Sequence, residues 1–313
     1  MTVRAESGAA GVSKANALVS GRDGTRERGA SGGAAEVVYN AESRVRRPRE
    51  LLAVLCRDLV ASRELAWRFM VRDLRAQYRQ AALGVAWAFV PPLLLAAGAT
   101  LASRAQVINV GATDLPYPAY VVFSTALWQT FVEALHGPSQ AVASAKAMLA
   151  RIAFPREAIV LAKVGEVLVN FGGKLLLIAA LFLWFRIPVT WTALLAPVAV
   201  LELVLLGTLL GVLVAPFAVL YQDVSRALML ASGFWLFLTP VIYPVPGAGA
   251  FGTVVRLNPV TPVLVTAREL ATTGAVSDPW GFTAVSVATL LGLLVTWVVF
   301  RLAMPFAIER VGS

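Results

Sequence analysis

WRFMVRDLRAQYRQAALGVAWAFVPPLL, residues 67–94, begins as a charged helix and ends as a hydrocarbon-soluble one. Arg68, Arg72, Arg75 and Arg79 recur at i, i+4, i+7 and i+11 and share one helical face. Trp67, Met70, Val71, Leu74 and Tyr78 fall on the opposite face. A helix with arginines on one side and large apolar residues on the other lies in the headgroup layer of a membrane. Charges stop at Arg79, and from Leu83 the chain is apolar for the length of a bilayer crossing. The segment predicts an integral membrane protein and places its first span.

Working outward, composition agrees. The chain has 313 residues, 58% hydrophobic and 14% charged, with a mean hydropathy of +0.74. Ordinary soluble domains carry roughly 25% charged residues. The net charge of +9 follows the positive flanks that spans require, and nucleic acid is set aside as a partner. Cys56 is the one cysteine and His136 the one histidine, which excludes an intrachain disulfide and a His/Cys metal site. Residues 1–45, rich in Gly, Ala, Ser and Arg, hold no signal-peptide core and read as a disordered cytoplasmic tail. Residues 46–80 read as amphipathic interface helices, one over Glu50–Ala61 and a second after Ser62 as N-cap.

Residues 81–313 form the membrane domain. Six apolar stretches predict six transmembrane helices in an all-α protein: about Leu83–Ser103, with Pro91-Pro92 inside it, Tyr117–Leu135, Val160–Phe185, Trp191–Leu220, Ala227–Tyr243 and Gly281–Pro305. Twelve Lys/Arg fall on one side of this arrangement and only Arg104, Arg186, Arg256 and Arg268 on the other. The basic side is cytoplasmic, so both termini are inside. The connection after the second span contains AVASAKAMLARIAF, residues 141–154, a cytoplasmic helix ended by Pro155. The connection after the fifth span is too apolar for a loop and too broken by Asn258-Pro259 and Pro262 to cross. Two short re-entrant helices in the outer leaflet fit it.

Four elements in order resemble the permease subunit of a type-2 ABC exporter, in the branch that moves lipid-linked polysaccharides and polyol phosphates such as O-antigen, galactan or teichoic acid. They are RDLRAQYRQAALGVAWAFVPPLL (72–94), AFPREAI (153–159), FWLFLTPVIYP (234–244) and RLNPVTPVLVTARE (256–269). One departure is Tyr221-Gln222-Asp223, where that family shows Arg-Asp. The resemblance implies a homodimer of permeases in the bacterial cytoplasmic membrane, seated on a dimer of separate ATPase subunits that bind ATP-Mg. This chain itself carries no cofactor and no catalytic residue. Its one Gly-Lys, Gly173-Lys174, precedes leucine and has Leu168 where a phosphate loop needs glycine.

The resemblance also assigns roles. Lys146, Arg151, Phe154, Pro155, Arg156 and Glu157 would couple to the ATPase. Arg68, Arg72, Arg75, Tyr78 and Arg79 would form the interface helix, for which a passive anchor is the competing reading. Trp87, Phe89, Phe234, Trp235 and Phe237 are candidates to line the channel, and Asn258 and Pro259 to form an outer gate. Two intramembrane charges, Lys174 and Glu202, each lie 11 residues from an outer span end, about 16 Å deep, and are expected to pair. Glu133, His136 and Glu166 read as wet boundary residues. The expected function is export of a lipid-linked glycan, galactan or O-antigen-like. The alternatives are drug or lipid efflux by the same superfamily and, in another class, a membrane-embedded glycosyltransferase, for which neither large connection holds a cluster of acids, His or Lys.

Overall fold

The computed structural model describes residues 48–79, 89–107, 110–145, 148, 155–247 and 249–312. The tail 1–45, Trp87, Lys146, Arg151 and Phe154 lie outside the described residues. Among those described there is helix and turn but no strand. The helices are α1 (Pro48–Arg79), α2 (Val90–Arg104), α3 (Tyr117–Ser144), α4 (Glu157–Trp184), α5 (Ala196–Leu220, preceded by a 3-10 turn Trp191–Leu194), α6 (Gln222–Phe237), α7 (Ala250–Leu257), α8 (Val260–Thr272) and α9 (Pro279–Gly312). Three segments are long and apolar enough to cross a membrane: Glu157–Trp184, Trp191–Leu220 and Pro279–Ala307.

One expectation is corrected. Ser62 does not cap a second helix. It is buried midway along one continuous α1, because nothing between Arg49 and Arg79 is a Gly or Pro that would break the helix. Pro91 and Pro92 open the described part of the first expected span, and residues 81–88 lie outside the described residues. The two prolines occupy the first turn of α2, where a missing N–H costs nothing. α2 and α4 both end on a non-glycine residue in the left-handed region, Gln106 (φ 57°) and Arg186 (φ 53°). In each case the reversing N–H bonds back, Val107 N to Ala102 O and Ile187 N to Phe182 O, both at 2.9 Å, closing a Schellman turn.

α3 and α5 are the centre of the bundle. They run in the same direction in close contact: Gly207 faces Phe131 and Ala134, and Gly211 faces Ala134 and Leu135. A Cβ on Gly207 would stand 2.7 Å from the Phe131 carbonyl, so the two backbones touch through a Gly-x-x-x-Gly strip. α4 runs antiparallel to α3, with Phe123 on Phe182 at one end and Gly137 on Lys163 at the other. α2 covers another side of α3, and α9 covers α5. α8 is buried along most of its length against α5. α1 lies across the start of α4: Ala66 and Met70 pack with Ala158 and Ala162. Its apolar stripe therefore meets protein, while Trp67 on its flank is 63% exposed. The α1 end and the α8 end of the bundle each carry a polar cluster.

Candidate functional site

A cavity of about 940 Å³ opens at the α1 end between α1, α3, α4 and α6. Its wall holds Arg72 and Asp73 of α1, Glu133 and His136 of α3, and Lys163 and Glu166 of α4. The charges are matched: Arg72 to Asp73 at 2.8 Å, Lys163 to Asp73 at 3.2 Å and to Glu166 at 2.6 Å. Behind Glu133, Lys174, 1% exposed, donates to Glu133 Oε1 at 2.6 Å and to Thr130 Oγ1 at 3.3 Å. The other carboxylate oxygen, Glu133 Oε2, is buried with no hydrogen-bond partner. His136 meets Ser232 of α6 at 3.1 Å through Nε2, and its Nδ1 is likewise buried without a partner.

The partner of Lys174 is thus Glu133, not Glu202 as the depth count implied. Side chains lean toward the N-terminus of their own helix. α4 is antiparallel to α3 and to α5, so Lys174 leans toward the α1 end. Glu133 starts nearer that end and leans toward the bundle centre, which brings the two together. Glu202 on α5 leans the same way as Glu133 but begins one helix further on, and its side chain faces Thr289 of α9. Its Oε1 is buried without a hydrogen bond.

Of the coupling residues, Pro155 and Arg156 are half-buried at the head of α4. Burial pushes the Arg156 guanidinium below its ordinary value, and the adjoining Glu157 pushes it back up. Glu157 turns inward: it is 5% exposed and takes a 2.7 Å hydrogen bond from Arg301 Nε. It struts α4 to α9 and offers no carboxyl to a partner surface. Among the interface arginines, Arg68 bonds Glu64 at 2.6 Å, and Arg72 stacks 4.9 Å over the Phe69 ring. Arg75 and Arg79 are exposed and share an open groove with Trp67 and Arg68.

At the α8 end Asn258 uses its whole side chain. Nδ2 donates to Leu238 O at 3.0 Å and to Thr239 Oγ1 at 2.9 Å, while Oδ1 accepts from Trp235 Nε1 at 2.9 Å and from Val260 N at 3.1 Å. The residue expected at an outer gate is a four-way staple between the end of α6 and the α7–α8 corner. Pro259 beside it is exposed. Next to the staple Arg268, 4% exposed, lies 4.2 Å over the Tyr120 ring and donates to Ser124 Oγ at 3.1 Å. Its Nε stands 3.5 Å from Asp114.

The aromatic candidates divide. Phe89 is half-buried before α2. Phe234 and Phe237 are 73% and 60% exposed on α6, an open face. Trp235 turns the other way, edge-on to Phe131 at 5.3 Å and to Trp128 at 6.4 Å, and cannot share that face because one residue turns a helix by about 100°.

Sequence reasoning passed over the cavity. Its only signals were Glu133 and His136 one turn apart on α3 and Lys163 and Glu166 one turn apart on α4, and their convergence depends on how the two helices pair. No family model matches the chain. It is similar to the O-antigen export system permease protein RfbA of Myxococcus xanthus, 25% identical over 223 residues that cover 69% of this chain and 83% of that protein. That likeness to an export-system permease stands beside described helices of which three are long and apolar enough to cross a membrane.

Proposed function

We propose that the chain is the membrane subunit of an ABC exporter that carries a lipid-linked polysaccharide across the bacterial cytoplasmic membrane. The observation that carries this reading is the export-system permease aligned along most of both chains. In this reading two copies form the path and a separate ATPase pair burns ATP-Mg. The α1 end is cytoplasmic, both termini lie inside, and α2, α3 and α6 join the three long helices to make six spans. α7 and α8 are the re-entrant pair of the outer leaflet, α8 being buried as backbone at that depth requires. The stretch 145–156 docks on the ATPase, Arg75 and Arg79 face headgroups, and Phe234 and Phe237 line the path with Phe89 and Trp87.

Depletion of the protein tests the proposal. Lipid-linked glycan should accumulate on the cytoplasmic side of the membrane, and re-expression should clear it. Depleted cells with no such accumulation would refute export of a glycan. Co-purification of the permease with the ATPase subunit, and stimulation of ATP hydrolysis in the complex, test the partner separately.

A further inference from the structure

We propose that Glu157 and Arg301 form a positioning tie that carries ATP-driven displacement from the head of α4 along α9 to the outer helix α8. The inference rests on the export reading, which makes 145–156 the stretch docked on the ATPase, and adds to it the route by which that stretch moves the rest of the bundle.

Glu157 is the first residue of α4, so a displacement of the stretch before it enters the bundle here. An acidic side chain in the first turn of a helix ordinarily serves that helix's own free N–H groups or faces water. Glu157 instead is 5% exposed and accepts a 2.7 Å hydrogen bond from Arg301 Nε of α9. Beside the pair, Ile159 and Val160 of α4 share one apolar cluster with Phe300, Met304 and Ala307 of α9. Apolar surfaces of packed helices slide past one another in shear motions. A charge-assisted hydrogen bond fixes distance and direction as well. Stability alone does not account for the pair, because apolar replacement of a buried ion pair is often neutral or stabilising.

α9 has the form that a relay needs. From Pro279 to Arg301 it is continuous helix, about 33 Å long. Pro305 has no N–H to give the Arg301 carbonyl, so Arg301 stands where the unbroken ladder of α9 ends. At the other end of that ladder Phe282 and Val285 pack against the core that holds Val263, Leu264 and Ala267 of α8. Between the two ends α9 runs along α5. One helix thus joins the head of α4, at the α1 end, to the buried helix at the α8 end, and the Glu157–Arg301 hydrogen bond is the directional link at its inner end.

The test uses the permease–ATPase complex in nanodiscs. Cys56→Ser removes the native thiol, and Ala275→Cys places a reporter on the exposed turn between α8 and α9. Maleimide labelling of that thiol is timed without nucleotide and with ATP-Mg trapped by vanadate. Coupling between sites is typically worth a factor of about 5–150, so trapping should change the labelling rate by at least about fivefold. Arg301→Ala should abolish that change while assembly and ATP hydrolysis persist. The exchange Glu157→Arg/Arg301→Glu should restore most of it, which a merely structural loss would not allow. If Arg301→Ala fails to assemble, Glu157→Met/Arg301→Met keeps the seam filled without the charges and should likewise label at one rate in both states. A reporter that ignores trapping in the unsubstituted complex, a response that survives loss of the pair, or a loss that the exchange does not restore would each overturn the tie. The two readings fail separately. Glycan accumulation on depletion, with a response indifferent to the pair, removes the tie and leaves export standing. A pair-dependent response without accumulation removes glycan export and leaves the tie in an ATP-driven transporter of another substrate.

Discussion

At the scale of single residues, Lys174 is the most deeply buried charge among the described residues. It is 1% exposed, and its neighbour Glu133 answers it at 2.6 Å. Removing one member of a buried pair strands the other, at about 3–5 kcal/mol. Lys174→Met should therefore lower stability by that order in a denaturation assay in lipid nanodiscs. The double variant Lys174→Met/Glu133→Met should recover most of the loss, whereas Lys174→Met/Glu202→Gln should be additive to within about 0.5 kcal/mol. Coupling to Glu202 instead of Glu133 would contradict the geometry. Asn258 is the second case. Truncation to Ala strands the Trp235 N–H, the Val260 N–H and the groups at Leu238 and Thr239. With each orphan costing about 1–3 kcal/mol, Asn258→Ala should destabilise by at least about 3 kcal/mol, and an unfolding midpoint unchanged from wild type would show that the staple is slack. Sequence marked both residues as important, gave Lys174 the wrong partner, and did not reveal the hydrogen bonds of Asn258. Depth along a span can be counted, but the direction a side chain leans depends on helix polarity. Three of the four partners of Asn258 lie 19, 20 and 23 residues away in the chain.

At the scale of elements, α6 shows how one short helix serves two duties. Phe234 and Phe237 face outward and Trp235 faces inward, so alanine at each should give opposite results. Phe234→Ala and Phe237→Ala should leave stability within about 0.5 kcal/mol of wild type, as exposed positions do, while lowering glycan export in cells. Trp235→Ala removes a packed ring and an N–H bond and should cost about 3–5 kcal/mol in unfolding. If all three lose export only in proportion to stability, α6 lines nothing. The pairing of α3 with α5 is the other element-level test. Gly207→Val would press a methyl group into the Phe131 carbonyl, and overpacking of this kind costs about 1–3 kcal/mol. Gly172, with nothing within 4 Å of its Cβ position, should tolerate alanine. Helices were legible because hydropathy runs and proline positions are local: the ends of α4 and α5 stand within a few residues of where the apolar runs stop. Their pairing was not legible, because GTLLG looks in sequence like any apolar stretch, and its close approach to Ala134 and Leu135 appears only once the helices are packed.

At the scale of the whole molecule, the distribution of charge and of exposed apolar surface argues for one orientation. The exposed arginines of α1 and the matched charges of the cavity gather at the α1 end, while the α8 end holds the buried Arg268 against Tyr120 and Asp114. The α9 window that could cross a membrane is only 11% buried, so that helix turns most of its surface to lipid or to another chain. Basic residues are retained on the cytoplasmic face. The proposed arrangement therefore puts the α1 end inside and takes α2, α3 and α6 as the remaining crossings. Single cysteines in a Cys56→Ser background decide this. Gly111→Cys and Gly274→Cys, near the α8 end, should react in intact cells with a maleimide that cannot cross the membrane. Ser144→Cys and Gln222→Cys should react only after the cells are opened. Labelling of Gln222→Cys from outside would place the start of α6 on the outer face and break the six-span arrangement. Labelling of Ser144→Cys from outside would invert the bundle and put the stretch 145–156 on the wrong side to meet a cytoplasmic ATPase.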